Sequence, residues 1–156
     1  MLLRPQSLLL AISITCALLN VNTLPLWDYR FEDAEGLMRV FAFGRFGFGG
    51  GSVTLQFWAM NGSIGLLILF SISALLFFKN RIWQERLTAL AMISSILSIG
   101  FSLFAVFGLT VKLGAGSVSH IPQVGFYLLL LIPFLLGFAR SLIRKDEETA
   151  SAYRRL

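Results

Sequence analysis

Phe77-Phe78-Lys79-Asn80-Arg81-Ile82-Trp83-Gln84-Glu85-Arg86 is a short basic stretch set between two long apolar runs. Residues 58–78 precede it, residues 87–111 follow it, and neither run holds a charged side chain. A hydrocarbon layer about 30 Å thick is crossed by about 20 helical residues, and each run is long enough. Lys79, Arg81 and Arg86 between two spans mark a cytoplasmic hairpin loop, because Lys and Arg are retained on that side. That assignment sets the direction of the rest of the chain.

Composition agrees with a membrane protein. Of 156 residues, 56% are hydrophobic and 13% charged, where soluble domains carry about 25% charged residues. Mean hydropathy is +0.79. The net charge of +5 does not point to nucleic acid, since the cations flank apolar spans, where lipid phosphates meet them. Cys16 is the one cysteine and His120 the one histidine. No internal disulfide, multi-cysteine metal site or two-histidine metal site can be built, and no cofactor is expected.

Residues 7–27 form the first apolar run, after Arg4 and Pro5. A signal peptide is the rival reading. The run outlasts the usual signal core, no small-x-small cleavage site follows, and Ser13-Ile14-Thr15-Cys16 lacks the leading leucine of a lipid-attachment box. A retained span is favoured. Pro25 disfavours helix at Leu24, so the helix is expected to end or kink there. Trp27 and Tyr29 then fall where interfacial aromatic belts lie.

Residues 28–57 make the one sizeable outer loop. It opens with Asp28, Glu32, Asp33 and Glu35 and then turns rich in Phe and Gly. Leu37, Arg39, Phe41 and Phe43 share one face at period two, which predicts a strand. Residues 52–58 could pair back on it across the glycine run, giving a short β-hairpin. The glycines do not form a phosphate-cradling loop, lacking both G-x-G-x-x-G and GK[ST]. Two arginines are too few for an Arg/Gly-rich nucleic-acid segment. The phenylalanines are read as lying on the membrane interface or on helix ends.

The span at 58–78 contains Asn61, Ser63 and two glycines; the span at 87–111 carries Ala91, Ser94, Ser98, Ser102 and Ala105 at spacings of three and four. Those five share one helical face. Close helix packing is favoured over a polar pore, because small residues are common at membrane helix interfaces. Residues 112–121 form a short outer turn holding His120, read as a plain loop residue. The fourth span covers 122–139, with Pro122 in its first turn and Pro133 inside, where a kink is expected. A charged, helical tail, 140–156, follows, with Arg144 and Glu148 an i, i+4 pair.

With both ends inside, Arg4, Lys79, Arg81, Arg86, Arg140, Arg144, Lys145, Arg154 and Arg155 are cytoplasmic; Arg30, Arg39, Arg45 and Lys112 are outside. The asymmetry has the sign that the positive-inside rule requires.

Three stretches together resemble a known family. They are Arg4-Pro5-Gln6-Ser7, Lys79-Asn80-Arg81-Ile82-Trp83-Gln84-Glu85-Arg86-Leu87, and Ile143-Arg144-Lys145-Asp146-Glu147, with Arg154-Arg155 as the later basic cluster. The family is a group of small four-span membrane proteins of Bacteroidota, known as domain of unknown function 4293. The resemblance covers essentially the whole chain and implies a bacterial inner membrane. It implies no activity and no site residues.

The expected architecture is an all-α membrane protein: a four-helix transmembrane bundle in one domain, 1–156, with a Phe/Gly-rich outer loop able to form a short β-hairpin. No ionisable residue lies within the four runs, which speaks against coupled transport, proton relays and intramembrane catalysis. Antiparallel topology places Asn20, Asn22, Asn61, His120 and Gln123 at the outer ends of their spans, with Tyr127 a turn deeper. They are a candidate outer polar pocket; the rival reading is amides satisfying frayed helix ends. The expected function is a non-enzymatic accessory or scaffolding subunit, in contact with the bilayer and with other membrane subunits. The alternative is a carrier or binder of an uncharged or lipid-like small molecule.

Overall fold

The computed structural model describes residues 5–31, 37–40, 55–113 and 118–153. Among them are four helices and three short strands: α1 Pro5–Asn22, β1 Trp27–Phe31, β2 Leu37–Val40, α2 Leu55–Leu76, α3 Arg81–Leu113, β3 Val118–Pro122 and α4 Val124–Tyr153. In the bundle, α1 packs beside α2 and α4, and α3 beside the same two, so the helices neighbour one another in cyclic order. One end of the bundle carries the turn 77–80 and the other carries the sheet.

Helix boundaries follow local chemistry. Pro5 opens α1, where its missing N–H is not needed. The helix ends at Asn22, three residues before Pro25, and Leu24 N–H closes the turn on the Leu19 carbonyl at 3.1 Å. The first run therefore splits: 18 residues, about 27 Å of helix, and then a strand that begins at Trp27. Asn80 caps α3, its Oδ1 accepting from Trp83 N–H at 3.4 Å. So α3 starts at Arg81, and most of the basic stretch is the first turns of a 33-residue helix. Helix α4 continues through Pro133.

Stretches of three helices are long and apolar enough to cross a membrane: Trp58–Leu76, Arg81–Val111 and Val124–Ala152. The apolar stretch of α1, Pro5–Val21, is shorter. The bundle has the polarity of a body solvated by lipid. Leu66, Leu69, Leu90, Ile93, Phe104, Phe107, Phe134 and Phe138 face outward, while Ser13, Ser63, Ser71, Thr88, Ser94, Ser95, Ser98 and Ser102 are buried. Apolar side chains still fill most of the interior, with Leu10, Leu67, Leu129, Ile132 and Leu136 packed along its length.

The sheet has the order β2-β1-β3, all antiparallel. Leu37–Val40 does form a strand, paired with Trp27–Phe31; of the expected partner 52–58, residues 52–54 lie outside the described residues. From Leu55 onward that segment is helical. The Phe/Gly-rich run 41–51 lies outside the described residues. Two of the five residues in β1, Trp27 and Tyr29, alternate onto one face and pack on the helix ends, which a free-standing hairpin could not do. The expected turn at 112–121 likewise yields a strand, β3, which pairs with the other edge of β1. Asp28 and Arg39 stand opposite each other across β1–β2, with an ion pair at 3.6 Å.

Candidate functional site

The sheet end is built around two aromatic side chains from β1. Trp27 is 6% exposed and Tyr29 fully buried, so neither serves as a belt residue. Trp27 Nε1 donates to Ser102 Oγ at 3.1 Å, and its ring meets Phe126 at 4.6 Å. Tyr29 OH donates to the Val106 carbonyl at 3.3 Å. Burial pushes the Tyr29 phenol up to about 12, with a hydrogen bond from Thr110 acting in the opposite sense. Both aromatics thus anchor the sheet to α3 with their polar atoms satisfied.

The residues of the candidate outer pocket are spread around this end. Asn20 is fully buried; its Nδ2 donates to the Cys16 carbonyl at 3.0 Å, and its Oδ1 receives no hydrogen bond among the described residues. It faces Gly125, where an added Cβ would lie 2.8 Å from Asn20 Oδ1 and 2.7 Å from the Pro25 carbonyl oxygen. Asn61 Oδ1 is also buried without a donor among the described residues. His120 lies exposed on β3, with its ring 6.0 Å from Trp27 and 6.4 Å from Tyr29. Gln123 is half-buried and uses its backbone N–H to bond the Leu26 carbonyl at 2.9 Å. Tyr127 is 58% exposed on the bundle exterior, edge-on to Phe126. The Asn22 side chain lies outside the description. No hydrogen bond joins any two of these side chains among the described residues.

Along α3, Ala91, Ser94, Ser98, Ser102 and Ala105 are all buried. Ser63 donates to the Met60 carbonyl at 2.7 Å, which leaves its oxygen free to accept from Ser98 at 2.9 Å. The Ser98 proton is shared with the Ser94 carbonyl at 2.8 Å. Ser102 receives Trp27, as above. The face therefore carries one direct α2–α3 hydrogen bond and the anchor of the sheet.

The turn end brings together the three stretches on which the family resemblance rests. Gln6 from α1 is 3% exposed and donates through Nε2 to Asp146 Oδ2 of α4 at 3.2 Å. Arg81 from α3 donates to the Asp146 carbonyl. Arg140 from α4 binds Glu85 from α3 through both Nε and Nη2, at 3.2 and 3.1 Å. Arg144 and Glu148 pair at 3.3 Å on the exposed side of α4. Two open clefts flank Arg81. One, of about 230 Å³, is bordered by Glu85, Arg144 and Glu148; the other, of about 520 Å³, by Gln6, Asp146 and Thr149. Gln84 is buried nearby, and among the described residues neither polar atom of its amide has a hydrogen-bond partner. Only the i, i+4 pair had a sequence signal. The contact of Gln6 with Asp146 joins residues 140 positions apart, beyond the reach of any periodicity.

Among the described residues, no group of three or more His, Cys, Asp or Glu side chains is placed to hold a metal ion. The model of the family described as Domain of unknown function (DUF4293) matches residues 2–156, and the chain belongs to that family. No curated protein matches it.

Proposed function

We propose that this chain is a four-span protein of the bacterial inner membrane, with both termini in the cytoplasm, and that it serves without catalysis as an accessory or scaffolding subunit of a membrane complex. The observation that carries the reading is a bundle braced at both ends. Trp27 and Tyr29 tie the sheet to α3, and the Gln6, Arg81, Glu85, Arg140 and Asp146 contacts tie α1, α3 and α4 at the turn end. Such a body fixes its sheet end relative to its turn end. At about 27 Å, α1 is close to the thickness of the hydrocarbon layer and is taken as the remaining span. The excess of Lys and Arg at the turn end supports the orientation.

Crosslinking followed by purification in native lipid tests the role. A stable partner in stoichiometric amount is expected, and deleting residues 41–51 should abolish its recovery while leaving insertion intact. A monodisperse monomer that moves solute in liposomes would overturn the reading. Reporter fusions at Gly50, Gln84, Gly116 and the C-terminus should alternate outside, inside, outside, inside.

A second reading is favoured by Asn20 and Asn61, whose buried carbonyl oxygens at the sheet end lack donors among the described residues. In it the protein binds or carries an uncharged or lipid-like molecule that supplies those donors. Asn61→Leu should then change the lipid and small-molecule profile of the purified protein by mass spectrometry; an unchanged profile removes this reading.

A further inference from the structure

The cations at the turn end fall into two groups. Arg81 is engaged by the Asp146 carbonyl, Arg140 by Glu85, and Arg144 by Glu148. Lys145 is exposed but is followed in the chain by Asp146, Glu147 and Glu148. Lys79 and Arg86 differ. Both are exposed, and neither forms an ion pair among the described residues. The guanidinium of Arg86 lies over the Trp83 ring, 5.6 Å from its centroid. Glu85 is the one acid between residues 77 and 86, and Arg140 occupies it.

The surface around these two cations is apolar and aromatic. Phe77, Phe78, Ile82 and Trp83 are each about half exposed. In water, four large apolar side chains set around unneutralised cations would be costly. In the headgroup layer both halves are satisfied: rings lie against the upper acyl region and cations meet phosphate. Arg86 offers a forked set of donors, already oriented by the Trp83 ring, and Lys79 a compact ammonium. A zwitterionic headgroup brings its own cation, which competes with Lys79 and Arg86 for the phosphate. An anionic headgroup brings no such competitor.

We infer that the α2–α3 turn is a binding site for an anionic phospholipid, its phosphate held by Lys79 and Arg86 and its acyl chains lying against Phe77, Phe78 and Trp83. The inference rests on the chain being embedded in a membrane, but not on its orientation or on a role as a subunit. It assigns a use to two cations that form no ion pair among the described residues.

The test is native mass spectrometry of the full-length protein titrated with phosphatidylglycerol or phosphatidylcholine. Phosphatidylglycerol is expected to bind at least tenfold more tightly. Lys79→Gln and Arg86→Gln should each weaken it about fivefold, and the double variant about 25-fold. Arg144→Gln removes the same net charge from a paired site and should leave affinity within twofold. Equal binding of the two lipids by the unaltered protein would overturn the inference, and needs no variant to fold. So would an equal loss in Arg144→Gln, or full displacement of phosphatidylglycerol by millimolar inorganic phosphate, which would mark a site for the free ion. Monodisperse incorporation into phosphatidylcholine nanodiscs checks membrane embedding separately, so the two ideas fail independently.

Discussion

Gly125→Ala should destabilise this protein, although alanine is the better helix former. Gly125 sits in the first turn of α4 against the α1–β1 turn. A Cβ there would lie 2.7 Å from the Pro25 oxygen, 2.8 Å from Asn20 Oδ1 and 3.1 Å from the Leu24 oxygen. An ordinary carbon–oxygen contact is about 3.3 Å, so the nearest oxygen would have to retreat by about 0.6 Å. Two of the three oxygens are backbone atoms of a turn that is pinned on several sides. Gly125 N–H bonds the Pro25 carbonyl at 3.1 Å, Gln123 N–H the Leu26 carbonyl at 2.9 Å, and Leu26 N–H the Val40 carbonyl at 2.8 Å. Asn20 is held by its bond to the Cys16 carbonyl. Overpacking of this kind costs about 1–3 kcal/mol, and each backbone hydrogen bond broken in relieving it about 1 kcal/mol. Alanine returns up to about 1 kcal/mol through helix propensity and a less flexible unfolded chain. With one such bond lost, the net expectation is a loss of about 1–4 kcal/mol. Gly62, Gly65 and Gly100 serve as controls, since nothing lies within 4 Å of a Cβ at any of them. Alanine at those positions should be neutral or stabilising by up to about 1 kcal/mol. Reversible unfolding in a fixed detergent by SDS titration, read by far-UV circular dichroism, compares the four variants directly. If Gly125→Ala proves as stable as Gly65→Ala, the close approach of α4 to the α1–β1 turn is wrong.

Three further outcomes are expected. Ser98→Leu should cost about 1–3 kcal/mol by overpacking the α2–α3 contact, whereas Ser98→Ala should cost under about 1 kcal/mol, as membrane hydrogen bonds are individually weak; equal melting of Ser98→Leu and the parent would place that face toward lipid. Because Tyr29 is held at about 12 in the folded protein against an ordinary value of 10, the unfolded chain loses its proton first, and stability should fall by about 1–2 kcal/mol as pH rises from 10 to 12. Tyr29→Phe should flatten that part of the pH profile, and an unchanged slope would remove Tyr29 as its source. Glu85→Gln should cost about 0.5–1 kcal/mol through the part-exposed pair with Arg140, a loss that should shrink in 1 M salt; a salt-independent loss would assign it to packing instead.

Much of the helical architecture was legible because it is local. The stop ahead of Pro25 and the serine spacing on α3 depend on residues within a few turns of one another, whereas residues 81–86, a loop by their charge, become the start of α3 behind the Asn80 cap. Hydropathy also marked the chain as membrane-embedded, since a 30 Å apolar layer selects for long uncharged runs. Which face of each helix looks inward is harder to read, because lipid and protein interior are equally apolar and Leu90 and Leu129 look alike to any hydropathy scale. The structure exposes the first and buries the second.

The partner of a strand is hard to read for a related reason. Residues 37–43 have a strand's alternation, but pattern alone does not choose a partner. That choice went to β1, whose Trp27 and Tyr29 find Ser102 and the Val106 carbonyl on a helix more than 70 residues away. The candidate pocket rested on topology, which places residues at one end of a bundle without saying which way they point; Asn20 turned inward and Tyr127 outward.

The sequence by itself determined that this chain is apolar, helical and free of charge within its long apolar runs, because transfer between water and hydrocarbon is settled residue by residue. Only the tertiary structure decided that Gln6 meets Asp146, that β1 pairs with β2 along one edge and β3 along the other, and that Lys79 and Arg86 form no ion pair among the described residues. Those outcomes depend on hydrogen-bond and charge geometry between segments brought together by packing, for which the linear order carries no distance.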